Sequence, residues 1–168
     1  MPSESEFHQA ISRRSDQWYG ACLRITRSPD LARDAMQDGL LNAWRKRRQF
    51  EGGAQLETWI HRICVNSALS LVRASHPERW APLDMDVSDE TPTPDHLLHS
   101  MELDDQLQGA LYQLSDMERV CFVLKHLEQW RIKEIAGDLN ISIGNAKQAV
   151  FRATRKLRVS MAGLRSAS

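Results

Sequence analysis

The chain has 168 residues, enough for one ordinary domain or two small ones. Its 22 basic and 22 acidic residues cancel, and 42% hydrophobic with 26% charged residues argues against wholesale disorder, collagen-like repeats and membrane proteins. We find no apolar run of the roughly 18 to 20 residues that span a membrane and no secretion signal, so we expect a cytoplasmic protein without membrane insertion. The three cysteines, Cys22, Cys64 and Cys121, form no CxxC motif, so neither a disulfide scaffold nor a zinc knuckle is expected.

The charges are distributed unevenly along the chain. Residues 11–79 carry 12 Lys or Arg against 7 Asp or Glu, residues 131–168 carry 8 against 2, and residues 81–105 carry 8 acids and no Lys or Arg. Prolines at positions 77, 82, 92 and 94 disfavour helix there. We therefore expect two domains, residues 1–75 and 98–168, joined by a flexible acidic linker over residues 76–97. That linker is either an ordinary solvated loop or a segment that repels nucleic acid.

Helical periodicity fills the first domain. Ser28-Pro29-Asp30 predicts a helix start, because a serine cap, a proline at the first helical position and an early acid favour one. The first expected buried stripe comprises Ala32, Ala35, Met36, Gly39, Leu40 and Ala43, and the opposite face carries Asp34, Gln37, Asp38, Leu41 and Asn42. After a turn at Gly52-Gly53, the second stripe comprises Leu56, Trp59, Ile60, Ile63, Cys64, Ala68 and Leu71.

Aromatic and cationic residues surround that glycine turn. Trp44 precedes the basic run Arg45–Arg48, and Trp59 is followed by Arg62 and Asn66. Flat side chains, flexible backbone and positive charge are what unstacked bases and phosphates require, so this mixture suits single-stranded DNA. Tryptophans such as Trp44 and Trp59 are, however, more often core residues than stacking platforms.

The second domain is also predicted to be helical. Ser115-Asp116-Met117-Glu118 reads as a capping box before an apolar run. A short helix near Ile132–Leu139, a break at residues 140–142 and a longer helix from Ile143 to about Leu164 follow. The buried seam expected on the long helix comprises Ala146, Val150, Ala153, Leu157, Met161 and Leu164. Because no stretch alternates with period two, we expect an all-α protein without a sheet.

Two helices joined by a tight turn constitute a helix-turn-helix unit, whose second helix enters the major groove of DNA. Asn140 tolerates the left-handed backbone of such a turn, and Ser142 can cap the second helix. The outward side chains expected on that helix are Lys147, Gln148, Phe151, Arg152, Arg155, Lys156 and Arg158. A basic helix surface is often only solvated, but an exposed Phe151 between cations favours contact with DNA.

These residues together resemble the extracytoplasmic-function group of bacterial RNA polymerase sigma factors. The first domain is similar to their region two in Asp34-Ala-Met-Gln-Asp38, Ala43-Trp44-Arg45, Phe50-Glu-Gly-Gly, Thr58-Trp59-Ile60 and Arg62-Ile63-Cys-Val-Asn66. The second is similar to their region four in Leu114-Ser115, Val120-Cys-Phe-Val-Leu124, Glu134-Ile135-Ala136 and Phe151-Arg152-Ala153-Thr-Arg155-Lys156-Leu157. The similarity covers most of the chain, in the order found in the family.

The resemblance implies a protein that is not itself an enzyme and needs no cofactor or metal. It implies binding to core polymerase, at the clamp helices of the largest subunit and at the flap, and to promoter DNA, with an anti-sigma factor as regulator. The implied polymerase contacts are Asp34, Gln37, Asp38, Leu41 and Asn42. The implied contacts to a flipped base of the minus-ten element are Phe50, Gly52, Gly53, Trp59, Arg62 and Asn66. The implied contacts to the minus-thirty-five duplex are Lys147, Gln148, Phe151, Arg152 and Arg155.

Two other classes of protein remain open from the residues alone. A stand-alone helix-turn-helix regulator would use the first domain for ligand sensing or dimerisation and would bind duplex DNA without polymerase. A metal-dependent enzyme or sensor is suggested by His61 with Cys64 and by His96 with His99, although each pair supplies only two ligands.

Overall fold

The computed structural model describes residues 1–80 and 105–166, with side chains as far as residue 162. These residues form seven α-helices and no strand, so the all-α prediction is confirmed. The chain divides into two compact units, Met1–Ser75 and His76–Ser168. Residues 81–97 of the expected linker lie outside the described part of the chain.

The first unit is a three-helix arrangement with a single 3-10 turn. Its helices are α1 (Glu4–Thr26), α2 (Pro29–Arg45) and α3 (Leu56–Ser75), and the 3-10 turn spans Arg47–Gln49. The predicted start of α2 is confirmed, since the Ser28 hydroxyl accepts the Leu31 N–H at 3.2 Å and Pro29 occupies the first helical position. Arg27 caps the C-terminal end of α1, and its left-handed backbone (φ 58°) lets its N–H donate to the Leu23 carbonyl.

Helix α3 packs against both α1 and α2, and this double contact decides which of its residues are buried. Of the predicted stripe, Ile60, Cys64 and Ala68 are buried, whereas the others are only partly so. The residues added to the core are Val65, Leu69 and Val72. A single 3.6-residue stripe describes a helix with one neighbour, so the sequence pattern underestimated the width of the buried face.

In its described residues, the second unit has a 3-10 turn, Pro77–Trp80, and four α-helices. These are α4 (Asp105–Tyr112), α5 (Asp116–Phe122), which continues as a π-helical turn (Val123–Leu127), α6 (Ile132–Leu139) and α7 (Ile143–Ser166). The predicted bounds of α6 and the start of α7 are confirmed. The seam residues of α7 as far as Met161 are buried, and the side chain of Leu164 lies outside the described residues.

The expected linker needs a correction at its first residues. Trp80 is only 5% exposed, and Arg79 donates to Asp116 at 2.7 Å, so the turn Pro77–Trp80 packs on the second unit. Proline already has the backbone angle of a helical first turn, and burial of the indole is favourable, so Pro77 starts a turn here instead of only breaking a helix.

No helix in the described part of the chain is long and apolar enough to cross a membrane.

Candidate nucleic-acid interface

One face of α2 is polar and solvent-exposed. Asp34, Gln37, Asp38 and Leu41 are exposed and Asn42 is half-buried. Leu41 is 46% exposed and lies one turn beyond Gln37 and Asp38 on the same face. The predicted polymerase-contact residues therefore form one continuous surface.

The loop between the 3-10 turn and α3 is exposed at its tip and fixed at its base. Gly52 has φ +77°, a conformation that L side chains rarely adopt, and a Cβ added at Gly53 would meet no atom within 4 Å. At the base, the rings of Phe50 and Trp59 lie 5.5 Å apart with an interplanar angle of 52°. The loop tip can therefore approach a ligand closely, while the Phe50–Trp59 pair fixes the base of the loop against the start of α3.

The outer side of α3 presents the other predicted minus-ten residues in one row. Trp59, Arg62 and Asn66 follow at spacings of three and four, with Arg62 half-buried and Asn66 exposed. Among the described residues, Asn66 has no hydrogen-bond partner for its side chain, so its amide can offer both a donor and an acceptor to a base edge.

Trp44 does not serve as a free stacking platform. The Arg47 guanidinium carbon lies 4.0 Å from its ring centroid, and the Phe7 ring meets it edge-on at 5.2 Å. Of the two readings left open for this residue, the structure therefore favours packing, whereas Trp59 remains half-buried beside the loop.

The helix-turn-helix geometry follows the prediction. Asn140 is left-handed (φ 55°, ψ 45°), and the Ser142 hydroxyl accepts the Asn145 N–H at 3.0 Å. Ile135, Ala136 and Leu139 of α6 are buried, and α6 packs against α7. The first turns of α7 are consequently held with their outer side chains facing away from the unit.

The outer side chains of α7 differ in their exposure to solvent, whereas the sequence predicted that all of them face outward. Lys147 and Arg155 are exposed, and Gln148 and Arg152 are half-buried. Phe151 is also half-buried, which corrects the expectation of an exposed aromatic. Because part of its surface is covered by the protein, only the remainder can reach DNA.

Lys156 is engaged within the protein, a contact that sequence reasoning missed. Its Nζ donates to Glu118 Oε1 at 2.8 Å, and the same oxygen accepts the Ser115 N–H at 3.0 Å. Burial alone would raise the pKa of Glu118, but these hydrogen bonds outweigh it and lower that pKa below its ordinary value. The predicted capping box is confirmed, but the sequence motif did not indicate that its Glu118 also pairs with Lys156, 38 residues further along the chain.

A second ion-pair cluster lies at the same helix start. Asp116 accepts from Arg79 at 2.7 Å and from Arg119, which is fully buried, at 2.9 Å. Burial raises the pKa of Asp116, and the two arginines more than offset that effect, so the pKa is lowered overall.

The metal-site alternative gains no geometric support. The described residues contain no group of three or more His, Cys, Asp or Glu that could hold an ion. Cys64 is buried, its pKa is raised to about 12 by desolvation, and its carbonyl accepts the Cys22 thiol at 3.6 Å. His96 and His99 lie outside the described residues.

Comparison with known proteins identifies the family. The family model for Sigma-70 region 2 matches residues 10–77, and the family model for Sigma-70, region 4 matches residues 104–157. The two matches together cover most of the chain. The chain belongs to the ECF RNA polymerase sigma factors. It is similar to the sigma factor SigE of Mycolicibacterium smegmatis, at 29% identity over 94% of this chain and 61% of that protein. It is similar also to the sigma factor SigW of Bacillus subtilis, at 24% identity over 96% of this chain and 91% of that protein.

The fold of this sigma factor has a solved counterpart. The structure of sigma factor RpoE in complex with the anti-sigma factor NepR from Bartonella quintana aligns with a TM-score of 0.59 and 24% identity, covering 93% of this chain and 96% of that one. At that identity the match supports the architecture, and the roles of individual residues have to be argued from their own geometry.

Proposed function

We propose that this sigma factor directs core RNA polymerase to promoters, with the first unit binding the core and the minus-ten element and the second unit binding the minus-thirty-five element. The observation that carries the proposal is the presence, in one chain, of a capped helix-turn-helix with a cationic outer face and a glycine-tipped loop beside an unpaired Asn66. The first element suits duplex DNA and the second suits an unstacked base.

The exposed face of α2 is the proposed contact to the polymerase clamp helices. Its members are Asp34, Gln37, Asp38, Leu41 and Asn42. An apolar anchor surrounded by polar and acidic side chains is a composition that matches a protein partner better than it matches DNA, since phosphates would be repelled by the two carboxylates. We propose the second unit as the contact to the polymerase flap.

The loop and the outer row of α3 are the proposed receptor for a base of the non-template strand. Its members are Phe50, Gly52, Gly53, Trp59, Arg62 and Asn66. Extruding a base costs a few kcal/mol, which stacking and hydrogen bonds to the base edge can offset. The exposed loop tip allows the close backbone approach, and Asn66 supplies the hydrogen bonds.

The start of α7 is the proposed reader of the minus-thirty-five duplex. Its members are Lys147, Gln148, Phe151, Arg152 and Arg155. Half-buried Gln148 and Arg152 have restricted side chains that suit base edges, whereas exposed Lys147 and Arg155 suit phosphates. The left-handed Asn140 sets the angle at which this helix leaves the turn.

Regulation by an anti-sigma partner is part of the proposal, in keeping with the solved RpoE complex with NepR. We assign the protein to the cytoplasm, where its polymerase is found. We propose no catalytic activity or cofactor of its own, because transcription chemistry belongs to the polymerase.

An electrophoretic shift with and without core polymerase tests the proposal. The expected result is weak binding of a duplex promoter by the sigma factor alone and strong, promoter-specific binding once core polymerase is added. Tight duplex binding that is independent of core would instead indicate a stand-alone helix-turn-helix regulator.

A further inference from the structure

The 3-10 turn Pro77–Trp80, which the sequence placed in the linker, is docked on the second unit. Trp80 is only 5% exposed, and the Arg79 guanidinium donates to Asp116, in the first turn of α5, at 2.7 Å. Within the turn, the Arg79 N–H donates to the His76 carbonyl at 3.1 Å. A buried ring, an ion pair and an internal hydrogen bond therefore hold this segment, which we call the docked turn, against α5.

The docked turn leaves a short connection between the first unit and the second. Helix α3 ends at Ser75 and the turn begins at Pro77, so only His76 lies between them. At about 3.5 Å per residue, this connection reaches about 7 Å. If the turn were released, the connection would extend from residue 76 to residue 104, because α4 begins at Asp105. A chain of that length reaches about 100 Å at full extension.

A promoter requires more reach than the docked turn allows. The minus-ten and minus-thirty-five elements are named for positions about 25 base pairs apart, which is about 85 Å along the DNA axis. Compact units of the size found here are each about 30 Å across. With a connection of about 7 Å, two DNA-binding surfaces can be separated by at most about 70 Å. Binding of both elements on straight DNA therefore requires release of the docked turn.

The contacts of the docked turn permit such a release. The Trp80 indole N–H is buried and has no hydrogen-bond partner in the described part of the chain, which offsets part of the gain from burying the ring. The Arg79 side chain is 52% exposed, so water screens its ion pair. Asp116 also accepts from the buried Arg119 at 2.9 Å, so its carboxylate keeps a partner when Arg79 leaves.

We propose that the docked turn is a conformational latch, which limits the separation of the two units in the free protein and is released when the chain binds core polymerase and a promoter with both elements. Arg79 and Trp80 are the latch residues. The inference rests on the proposed function and adds a regulatory step to it. The apparent affinity for a two-element promoter is reduced to the fraction of molecules in which the turn is released.

The first test locks the turn with a reversible cross-link. In the full-length double variant Arg79→Cys/Met117→Cys, a flexible bis-maleimide with a central disulfide joins the turn to α5, since position 117 follows Asp116. The native cysteines are buried, so they react slowly with the reagent. Cleavage of the central disulfide by a reducing agent gives the matched control, which carries the same substitutions and a free turn.

We expect the locked protein to form the complex with core polymerase and a two-element promoter at least about 10-fold more weakly than after cleavage. Binding of the locked protein alone to a duplex with only the minus-thirty-five element should change by less than about 2-fold on cleavage, because this duplex needs one unit only. Equal formation of the two-element complex before and after cleavage would overturn the inference.

The second test weakens the turn without a cross-link. Arg79→Gln/Trp80→Ser removes the ion pair and the buried ring, and Glu78→Gln, in the same turn with a side chain that is 71% exposed, is the matched control. The double variant should raise the affinity of the holoenzyme for two-element promoters about 3- to 10-fold, whereas the control should change it by less than about 2-fold. Unchanged or lower affinity, or an equal rise on the single-element duplex, would contradict the role of the turn as a latch.

Failure of the proposed function is a separate outcome. In that case the unaltered protein would form no promoter complex with core polymerase, so the cross-link would have no complex to inhibit.

Discussion

Lys156 Nζ lies 2.8 Å from Glu118 Oε1, and this pair joins the middle of α7 to the first turn of α5. Glu118 is only 6% exposed, so its carboxylate depends on Lys156 and Ser115 for compensation. The contact fixes the helix that carries the proposed duplex-reading residues, and it removes Lys156 from the cations available to phosphates.

Lys156→Met should therefore destabilise the second unit by ~1 to 2 kcal/mol, because a mostly buried carboxylate loses a partner while the side-chain stem is retained. Arg155→Met, at the exposed neighbouring position, is the control and should change the unfolding free energy by less than ~0.5 kcal/mol. Chemical denaturation measures both. If Lys156→Met instead weakened duplex binding without loss of stability, Lys156 would be a DNA contact.

Acid should unfold the second unit through Asp116 and Glu118. The pKa of each is lowered in the folded state, so each contributes stability at neutral pH that is lost as the pH falls through about 4 and below. Thermal unfolding from pH 7 to pH 3 should show a falling Tm. The double variant Asp116→Asn/Glu118→Gln should have a lower Tm at pH 7, and its Tm should depend less on pH. The control Asp105→Asn, at an exposed position, should follow the unaltered protein. The same dependence of Tm on pH in all three proteins would contradict the role given to Asp116 and Glu118.

Gly39→Ala should destabilise the first unit by ~1 to 3 kcal/mol. A Cβ at position 39 would lie 2.8 Å from the Cys64 Cα and 2.9 Å from its Sγ, and backbone cannot move aside cheaply. Gly20→Ala in α1 is the matched control, since its Cβ meets only the flexible end of Arg24 at 3.3 Å and gains helix propensity. Equal stability of the two variants in urea unfolding would show that α2 and α3 can separate without cost.

Asn66→Ala should abolish or strongly reduce open-complex formation while leaving binding to core polymerase intact, because only the edge of the extruded base loses its partner. Ser70→Ala, one turn further along the exposed side of α3, is the control and should behave like the unaltered protein. Permanganate footprinting of the minus-ten region measures melting. Unchanged melting in Asn66→Ala would remove Asn66 from the base-receiving site.

Arg152→Ala should cost ~1 to 3 kcal/mol of promoter affinity, and the loss should depend on one base pair of the minus-thirty-five element. Holoenzyme binding to a set of promoters with single substitutions in that element measures it. A uniform loss across all sequences would indicate a phosphate contact in place of base recognition.

Features that depend on a few neighbouring residues could be predicted from the sequence. The caps at Ser28, Ser115 and Ser142 and the left-handed turn at Asn140 are each decided within about four residues, so their chemistry is visible in the chain. The same holds for the α6 bounds and the glycine loop. Motifs of this kind also carried the family resemblance.

Contacts between distant residues needed the tertiary structure. The close approach of Gly39 to Cys64, the Lys156–Glu118 pair and the Arg79–Asp116 pair join positions 25 to 38 residues apart. No residue near Lys156 in the sequence distinguishes it from the cations beside it. Phe151 was expected to be exposed because helical periodicity shows which residues share a face but not which other elements cover that face. The sequence by itself therefore determined where helices begin and end, because short-range hydrogen bonds set these positions. Packing decided which charged side chains stay free to bind a polyanion, because burial and ion pairing arise only when separate helices come together.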